Sequence, residues 1–182
     1  FFLAFSPERI DPGNTTRHTG NTPIVAGGVT KWCTTLACAA HGLIVSKVIP
    51  VSSPNVAEME KLLENIFRSV NIALVNELAQ LCDRIGVNIW EVVEAAGTKP
   101  FGFMPFYPSI GVGGHCIPVD PSYLSYSAEI AGVDAKFIKL ANQVNSSMPK
   151  IITQRLKDYM GGDLTGKQVQ IAGISYKPDI SD

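Results

Sequence analysis

Neither sign of charge is in excess in this 182-residue chain: 15 lysines and arginines stand against 16 aspartates and glutamates, a formal net charge of −1. Proteins that hold nucleic acid or an anionic membrane surface need a basic excess, so neither partner is expected. No apolar run is long enough to span a bilayer, and no signal peptide opens the chain. The four cysteines (Cys33, Cys38, Cys82 and Cys116) contain no C-x-x-C pair, and the histidines form no cluster at zinc-ligand spacing, so no metal is expected. Unpatterned cysteines in a chain of this size are expected as reduced thiols of a cytoplasmic protein. Internal repeats and low-complexity tracts are also missing. What is left, 46% apolar, is the composition of a soluble globular protein with material for a core.

The first residue falls inside an apolar run, Phe1-Phe2-Leu3-Ala4-Phe5, with no initiator methionine. This predicts a strand entered partway, with an N-terminal portion of a larger protein preceding it. Ser6 to Gly13 breaks the run with two prolines and a glycine. Pro23 to Gly28 predicts a short buried strand, Thr30 caps a helix reaching His41, and Val45 to Val51 predicts another strand. The first fifty or so residues thus read as the tail of an α/β domain.

From Ser53 the pattern turns helical. Ser53 or Asn55 caps, Pro54 suits the first turn and Glu58 completes a box with Asn55. No glycine or proline interrupts until Gly86, which predicts one helix of roughly thirty residues, about 45 Å long. Val56, Met59, Leu62, Leu63, Ile66, Val70, Leu74, Leu78, Leu81 and Ile85 are expected to supply its buried faces. Glu58, Lys61, Asn65 and Arg68 form a polar stripe, which puts an ammonium one turn before a carboxamide. Such a pair can hold a substrate oxygen. Asn88 with Glu91 opens a short helix ending at Gly97. Further helices are predicted over Pro121–Ala131 and from Asp134 to Tyr159, the second kinked or divided at Pro149. Gly161-Gly162 marks a boundary, and Val169 to Ile174 predicts a new strand.

Between the short helix and Pro121 lies a long irregular segment that carries Phe101, Phe103, Phe106 and Tyr107. Aromatics pack, so this is a shaped loop rather than a disordered one. It ends in Gly111-Val112-Gly113-Gly114-His115-Cys116-Ile117-Pro118-Val119-Asp120. The glycines allow positive φ and close approach to a ligand, and the loop presents one thiol followed four residues later by a carboxylate.

Five stretches occur together, in order: Ser6-Pro7-Glu8-Arg9-Ile10-x-Pro12-Gly13; Glu58-x-x-Lys61-Leu62-x-x-Asn65; Asn71-Ile72-Ala73-x-x-Asn76-Glu77; the Gly111 to Asp120 loop; and Gly173-Ile174-x-Tyr176-Lys177-Pro178-Asp179. The combination resembles the UDP-glucose/GDP-mannose dehydrogenase family over essentially the whole chain. Among its members the UDP-N-acetylglucosamine and UDP-N-acetylmannosamine 6-dehydrogenases are most similar, and Glu8-Arg9-Ile10 with Lys99 to Phe103 resembles the N-acetylglucosamine enzymes most.

The resemblance implies a mainly α central dimerisation domain built on the long helix (53–160). It would be flanked by the end of an NAD-binding Rossmann α/β domain (1–52) and the start of a C-terminal Rossmann-like domain that binds the nucleotide sugar (161–182). It implies an oxidoreductase of polysaccharide biosynthesis that oxidises carbon 6 of a UDP-sugar from alcohol to carboxylate with NAD, and a homodimer formed through the long helix. In that reaction Cys116 is the nucleophile, Lys61 and Asn65 hold the oxyanion, Asp120 acts on a water or as a base, and Glu8 assists hydrolysis. Arg9, Ile10, Arg68, Tyr107, Gly113, Gly114 and Lys177 are the implied substrate contacts. His115 stays outside the catalytic set because a sequence neighbour in a loop often points away. Cys33, Cys38 and Cys82 are assigned to structure. The chain carries no G-x-G-x-x-G after a strand, so on its own it is expected to bind NAD poorly.

Two readings compete. A β-hydroxyacid or 6-phosphogluconate-type dehydrogenase also sets lysine and asparagine one turn apart on a long helix, but it needs no cysteine. A non-catalytic dimerisation module needs only the helix.

Overall fold

The computed structural model describes residues 1–173, 175 and 177. They form two compact units, Phe1–Glu64 with the described residues from Gly173 onward, and Asn65–Ala172. Among the described residues there are five helices and a three-stranded sheet, and no helix is long and apolar enough to cross a membrane.

In the first unit, β2 (Ile24–Gly28) is the central strand. It pairs antiparallel with β1 (Ala4–Phe5) and parallel with β3 (Val48–Val51), in register Ile24↔Val48 to Gly27↔Val51. A parallel pair needs a crossover, which α1 (Lys31–His41) supplies. Val25 and Ala26 are buried, as suits a strand covered on both sides. Thr30 caps α1, its hydroxyl accepting the Cys33 N–H at 3.2 Å. The edge strands are shorter than their apolar runs suggested. β1 forms over two residues, and the third strand begins at Val48 because Leu43 to Ser46 turn back onto the end of α1 and onto Gly20 through backbone bonds.

The long helix, α2 (Pro54–Ile85, 32 residues), forms as its uninterrupted sequence predicts. Ser53 opens it, accepting the Val56 N–H at 3.3 Å. Its packing differs from the expectation. Leu63, Leu74, Leu81 and Ile85 are more than half exposed. The buried positions instead include Asn65, Ser69 and Asn76 beside Ala57, Ile66, Ala73, Val75 and Cys82. Steps of four and seven put the three polar residues on one face. Apolar count alone misassigned that face, because a buried amide is stable wherever its hydrogen bonds are met.

The second unit packs α3 (Ile89–Gly97), α4 (Asp120–Ile130) and α5 (Lys136–Tyr159) around the C-terminal part of α2. Val75 and Cys82 of α2 form a core with Ile89 and Val93 of α3, against which Ala79 and Phe106 pack. Asn88 caps α3 through the Trp90 N–H at 3.1 Å. Asn142 of α5 reaches Ser122 of α4 at 3.3 Å. α5 runs through Pro149 undivided. A proline interrupts one hydrogen bond of the ladder, and the surrounding turns, whose Ala141, Asn145 and Met148 are buried, hold the helix together. The strand expected from Val169 does not form over 169–173, where Val169 and Ile171 are exposed. An apolar run makes a strand only beside a partner that takes its hydrogen bonds. Ile174, Tyr176, Pro178 and Asp179 of the last motif lie outside the described residues.

Candidate active site

Residues 98–119 join α3 to α4 without regular structure, and their course is set by successive anchors. Phe106 meets Phe67 of α2 edge-on, centroids 5.8 Å apart at 68°, and Tyr107 stacks on Trp90 at 5.7 Å and 19°. Next, the Ser109 N–H donates to the Asn76 side-chain oxygen at 2.8 Å. Gly111 follows with φ of 107°. A side chain there would put Cβ 2.9 Å from the Asn145 carbonyl oxygen, so this turn requires glycine.

Beyond the glycines Cys116 is exposed. Its carbonyl accepts the N–H groups of Val119 at 3.0 Å and Asp120 at 2.8 Å, a turn that feeds directly into α4. Asp120 is the first residue of that helix, where the N-terminal dipole favours a carboxylate. The buried Asn65 donates its side-chain N–H to Asp120 Oδ2 at 2.6 Å. A bond to a charged acceptor is worth more than a neutral one and fixes the carboxylate's direction. The fold therefore joins three predicted catalytic residues, Cys116, Asp120 and Asn65, in one hydrogen-bonded unit. Gly113 lies exposed on the same loop, and Gly114 has φ of 85°.

Lys61 is half-buried one turn before Asn65 on α2, and Arg68 is exposed. In the first unit Glu8 is exposed and curls back, Oε1 accepting the N–H groups of Arg9 at 2.8 Å and Ile10 at 2.7 Å. Ile10 is exposed. The Arg9 guanidinium donates to the Pro23 carbonyl at 2.9 Å and pairs with Glu60 at 3.3 Å and with Glu64. Burial first, then the adjoining Glu64 carboxyl, push Glu60 above its ordinary value. Burial also acts against ionisation of Glu64, but the hydrogen bonds and charge of Arg9 and its neighbours outweigh it and hold that carboxyl low. Lys177 pairs with the Asp11 carboxylate and donates to the Pro12 carbonyl at 3.2 Å.

The sequence reading passed over Asn145, Ser69 and Trp90, and it quoted Asn76 only as part of a motif. Polar residues at helix-face spacing beneath an apolar stripe were the available signal.

Dinucleotides are held where a strand meets a helix through a glycine turn open to the pyrophosphate. Here the corresponding turn after β2 is filled by the chain itself. A Cβ at Gly27 would lie 2.1 Å from the Ser53 carbonyl oxygen, and one at Gly28 2.3 Å from the Thr34 nitrogen. These glycines serve close packing of strand and helix, and the turn does not fit a dinucleotide. Among the described residues no group of three or more histidine, cysteine, aspartate or glutamate side chains could hold a metal.

Known proteins similar to the chain are dehydrogenases of sugar nucleotides. The chain is 37% identical over 180 residues to a UDP-N-acetyl-D-mannosamine dehydrogenase of Campylobacter jejuni, covering 99% of this chain and 43% of that protein. It is 38% identical over 182 residues to an NDP-N-acetyl-D-galactosaminuronic acid dehydrogenase of Ralstonia solanacearum, covering 99% and 41%. The solved UDP-D-ManNAc dehydrogenase of Pyrococcus horikoshii superposes with a TM-score of 0.81 at 36% identity, over 88% of this chain and 38% of that one. The chain thus spans about two fifths of the length of the relatives it matches. Residues 55–147, which run from the start of α2 past the cysteine loop into α5, match the central domain of one family. With an exposed loop thiol and a buried asparagine holding the aspartate behind it, the chain belongs to the UDP-glucose/GDP-mannose dehydrogenase family.

Proposed function

We propose that this chain is the thiol-bearing central portion of a UDP-N-acetylhexosamine 6-dehydrogenase, with residues 1–52 closing an NAD-binding domain and 161–182 opening a sugar-nucleotide domain. The observation that carries the reading is the Cys116–Asp120–Asn65 unit: an exposed thiol on a residue whose backbone carbonyl accepts the Asp120 N–H, with the Asp120 carboxylate directed by a buried amide. NAD is the proposed oxidant of the whole protein, taking up the hydrides. The glycine turn after β2 offers it no cradle, and the chemistry assigned to this chain is that of the thiol.

After the first oxidation the Cys116 sulfur adds to the carbon-6 aldehyde, and the carbonyl oxygen becomes an oxyanion. Lys61 and Asn65 supply the cation and the donor for that oxygen. Once the second hydride has left carbon 6, a thioester remains on Cys116. Water cleaves it, with Asp120 and Glu8 as the carboxylates that direct the water and take its proton. The products are the carboxylate and the regenerated thiol. Arg9, Ile10, Arg68, Tyr107, Gly113, Gly114 and Lys177 are the proposed surroundings of the UDP-sugar. Arg9 and Lys177 act there through the internal ion pairs described above.

The Glu8-Arg9-Ile10 pattern favoured N-acetylglucosamine. Relatives named for N-acetylmannosamine, at 37% and 36% identity, favour the other epimer, and UDP-N-acetylmannosamine is the substrate we propose. Leu63, Phe67, Leu74, Leu78, Leu81 and Ile85 recur at near-heptad steps along α2 and are exposed, which supports a homodimer through that helix. A working thiol suits the reducing cytoplasm.

The test uses the full-length protein. UDP-N-acetylmannosamine, UDP-N-acetylglucosamine and UDP-glucose are supplied separately with NAD. Two hydrides per molecule of the first sugar support the proposal. One hydride per sugar, indifferent to Cys116→Ala, sinks it in favour of a single-oxidation dehydrogenase.

A further inference from the structure

Three glycines lie between Ser109 and Cys116, and glycine-rich backbone has no fixed course of its own. The position of the thiol must come from what holds the two ends of this stretch. The far end is the turn into α4, with Asp120 on Asn65. The near end is held by side chains that the proposed chemistry does not use.

Asn76 is fully buried, and Asn145 and Ser69 are nearly so. Asn145 Nδ2 donates to the Ser69 carbonyl at 3.0 Å and lies 3.4 Å from its hydroxyl. Asn145 Oδ1 accepts from Asn76 Nδ2 at 3.1 Å, and Asn76 Oδ1 takes the Ser109 N–H at 2.8 Å. Each amide thus has both its ends engaged, and the series runs from α2 through α5 back to α2 and out to the loop. The Ser109 hydroxyl then closes on the Gly111 carbonyl. Pro149, four residues after Asn145, has no N–H to return to the Asn145 carbonyl. Gly111 packs against that same carbonyl, so close that no side chain fits between them.

We propose that Asn76 and Asn145 are positioning residues for Cys116, fixing where the glycine stretch begins and so where the thiol meets the aldehyde. This rests on the reading of Cys116 as the nucleophile. Replacing both amides by leucine removes their mutual bond and also strips the Ser109 N–H and the Ser69 carbonyl of their amide partners, so stability falls on either reading. Only amides that aim the loop would slow the thiol step selectively.

The experiment compares full-length parent, Asn76→Leu/Asn145→Leu and Gly111→Ala, with Cys116→Ala alongside. UDP-N-acetylmannosamine and NAD are supplied with hydroxylamine to trap aldehyde, and iodoacetamide alkylation of Cys116 is followed separately. Gly111→Ala disturbs the same contact from the loop side and stands in if the double variant fails to fold. Expected is aldehyde formation at the parent's rate and KM, alkylation at the parent's rate, and conversion of aldehyde to carboxylate slowed on the order of 10²-fold, as for a misplaced reacting group. Carboxylate formed at the parent's rate overturns the proposal. So does equal slowing of both oxidations with a raised KM, the mark of a general structural role. Carboxylate still formed by Cys116→Ala removes the underlying reading instead, and is told apart by that variant.

Discussion

Asn65, in the middle of a 32-residue helix, donates its amide N–H to the carboxylate of Asp120 at 2.6 Å, four residues after the exposed thiol of Cys116. The helix and the loop turn are far apart in sequence, and this contact makes the carboxylate part of a fixed site. Asn65→Ala leaves the carboxylate without that donor. We expect a stability loss of about 1–3 kcal/mol in urea unfolding, together with a fall in kcat. Unchanged turnover would show that the contact serves folding alone.

The four thiols should react in an order set by exposure. Cys116 is exposed, Cys38 is partly covered, and Cys33 and Cys82 are buried. The Thr30 hydroxyl donates to the Cys33 sulfur and holds that thiol below its ordinary range, which makes it the strongest competitor by chemistry and a weak one by access. Limited iodoacetamide labelling followed by peptide mass analysis should find Cys116 modified first. Cys33 labelled ahead of it would mean that the loop thiol is shielded in solution.

Exposed apolar side chains along α2 should report on assembly. Leu74→Glu and Leu81→Glu put charge on positions more than half exposed in the single chain. If the helix pairs with a second copy, a charge there is buried on assembly and costs several kcal/mol. Sedimentation should then show a dimer for the parent and a monomer for the double variant. A parent that sediments as a monomer removes the dimer proposal.

Stability should depend on pH through Glu60 and Glu64 in opposite senses. Glu60 is raised above its ordinary 4.5, mainly by burial and the neighbouring carboxyl. Its contribution is complete below that value and lost as pH rises through the folded value. Glu64 is held low, because its pairing with Arg9 outweighs its burial. Its contribution is present above 4.5 and lost as pH falls through the folded value. Glu60→Gln should therefore melt at or above the parent temperature near neutral pH. Glu64→Gln should melt below it there and converge toward it in acid. Parallel curves for the parent and both variants would remove the coupling.

Much of this was readable in advance where local rules act alone. Thr30 and Asn88 cap the helices they were expected to cap, and the unbroken stretch after Pro54 forms the long helix. The stretch from Gly111 is irregular up to Val119 and presents an exposed thiol, as its glycines and cysteine indicated. What escaped were features made by partners distant in sequence. Asn76 and Asn145 look like ordinary polar helix residues until a loop amide arrives to use them. Arg9 was expected as a substrate contact, and its pairing with Glu60 and Glu64 was not foreseen. Val169 to Gly173 has the composition of a strand, and composition does not supply the neighbour that would make it one.

The measurement closest to the central claim is to look for the sugar on the thiol. Full-length protein turning over UDP-N-acetylmannosamine with NAD is quenched in acid, digested and weighed by mass spectrometry. The account predicts a peptide containing Cys116 heavier by the acyl group of the sugar nucleotide, absent when NAD is withheld and absent from the peptides that contain Cys33, Cys38 or Cys82. A Cys116 peptide of unmodified mass throughout turnover, with carboxylate still produced by Cys116→Ala, would contradict it.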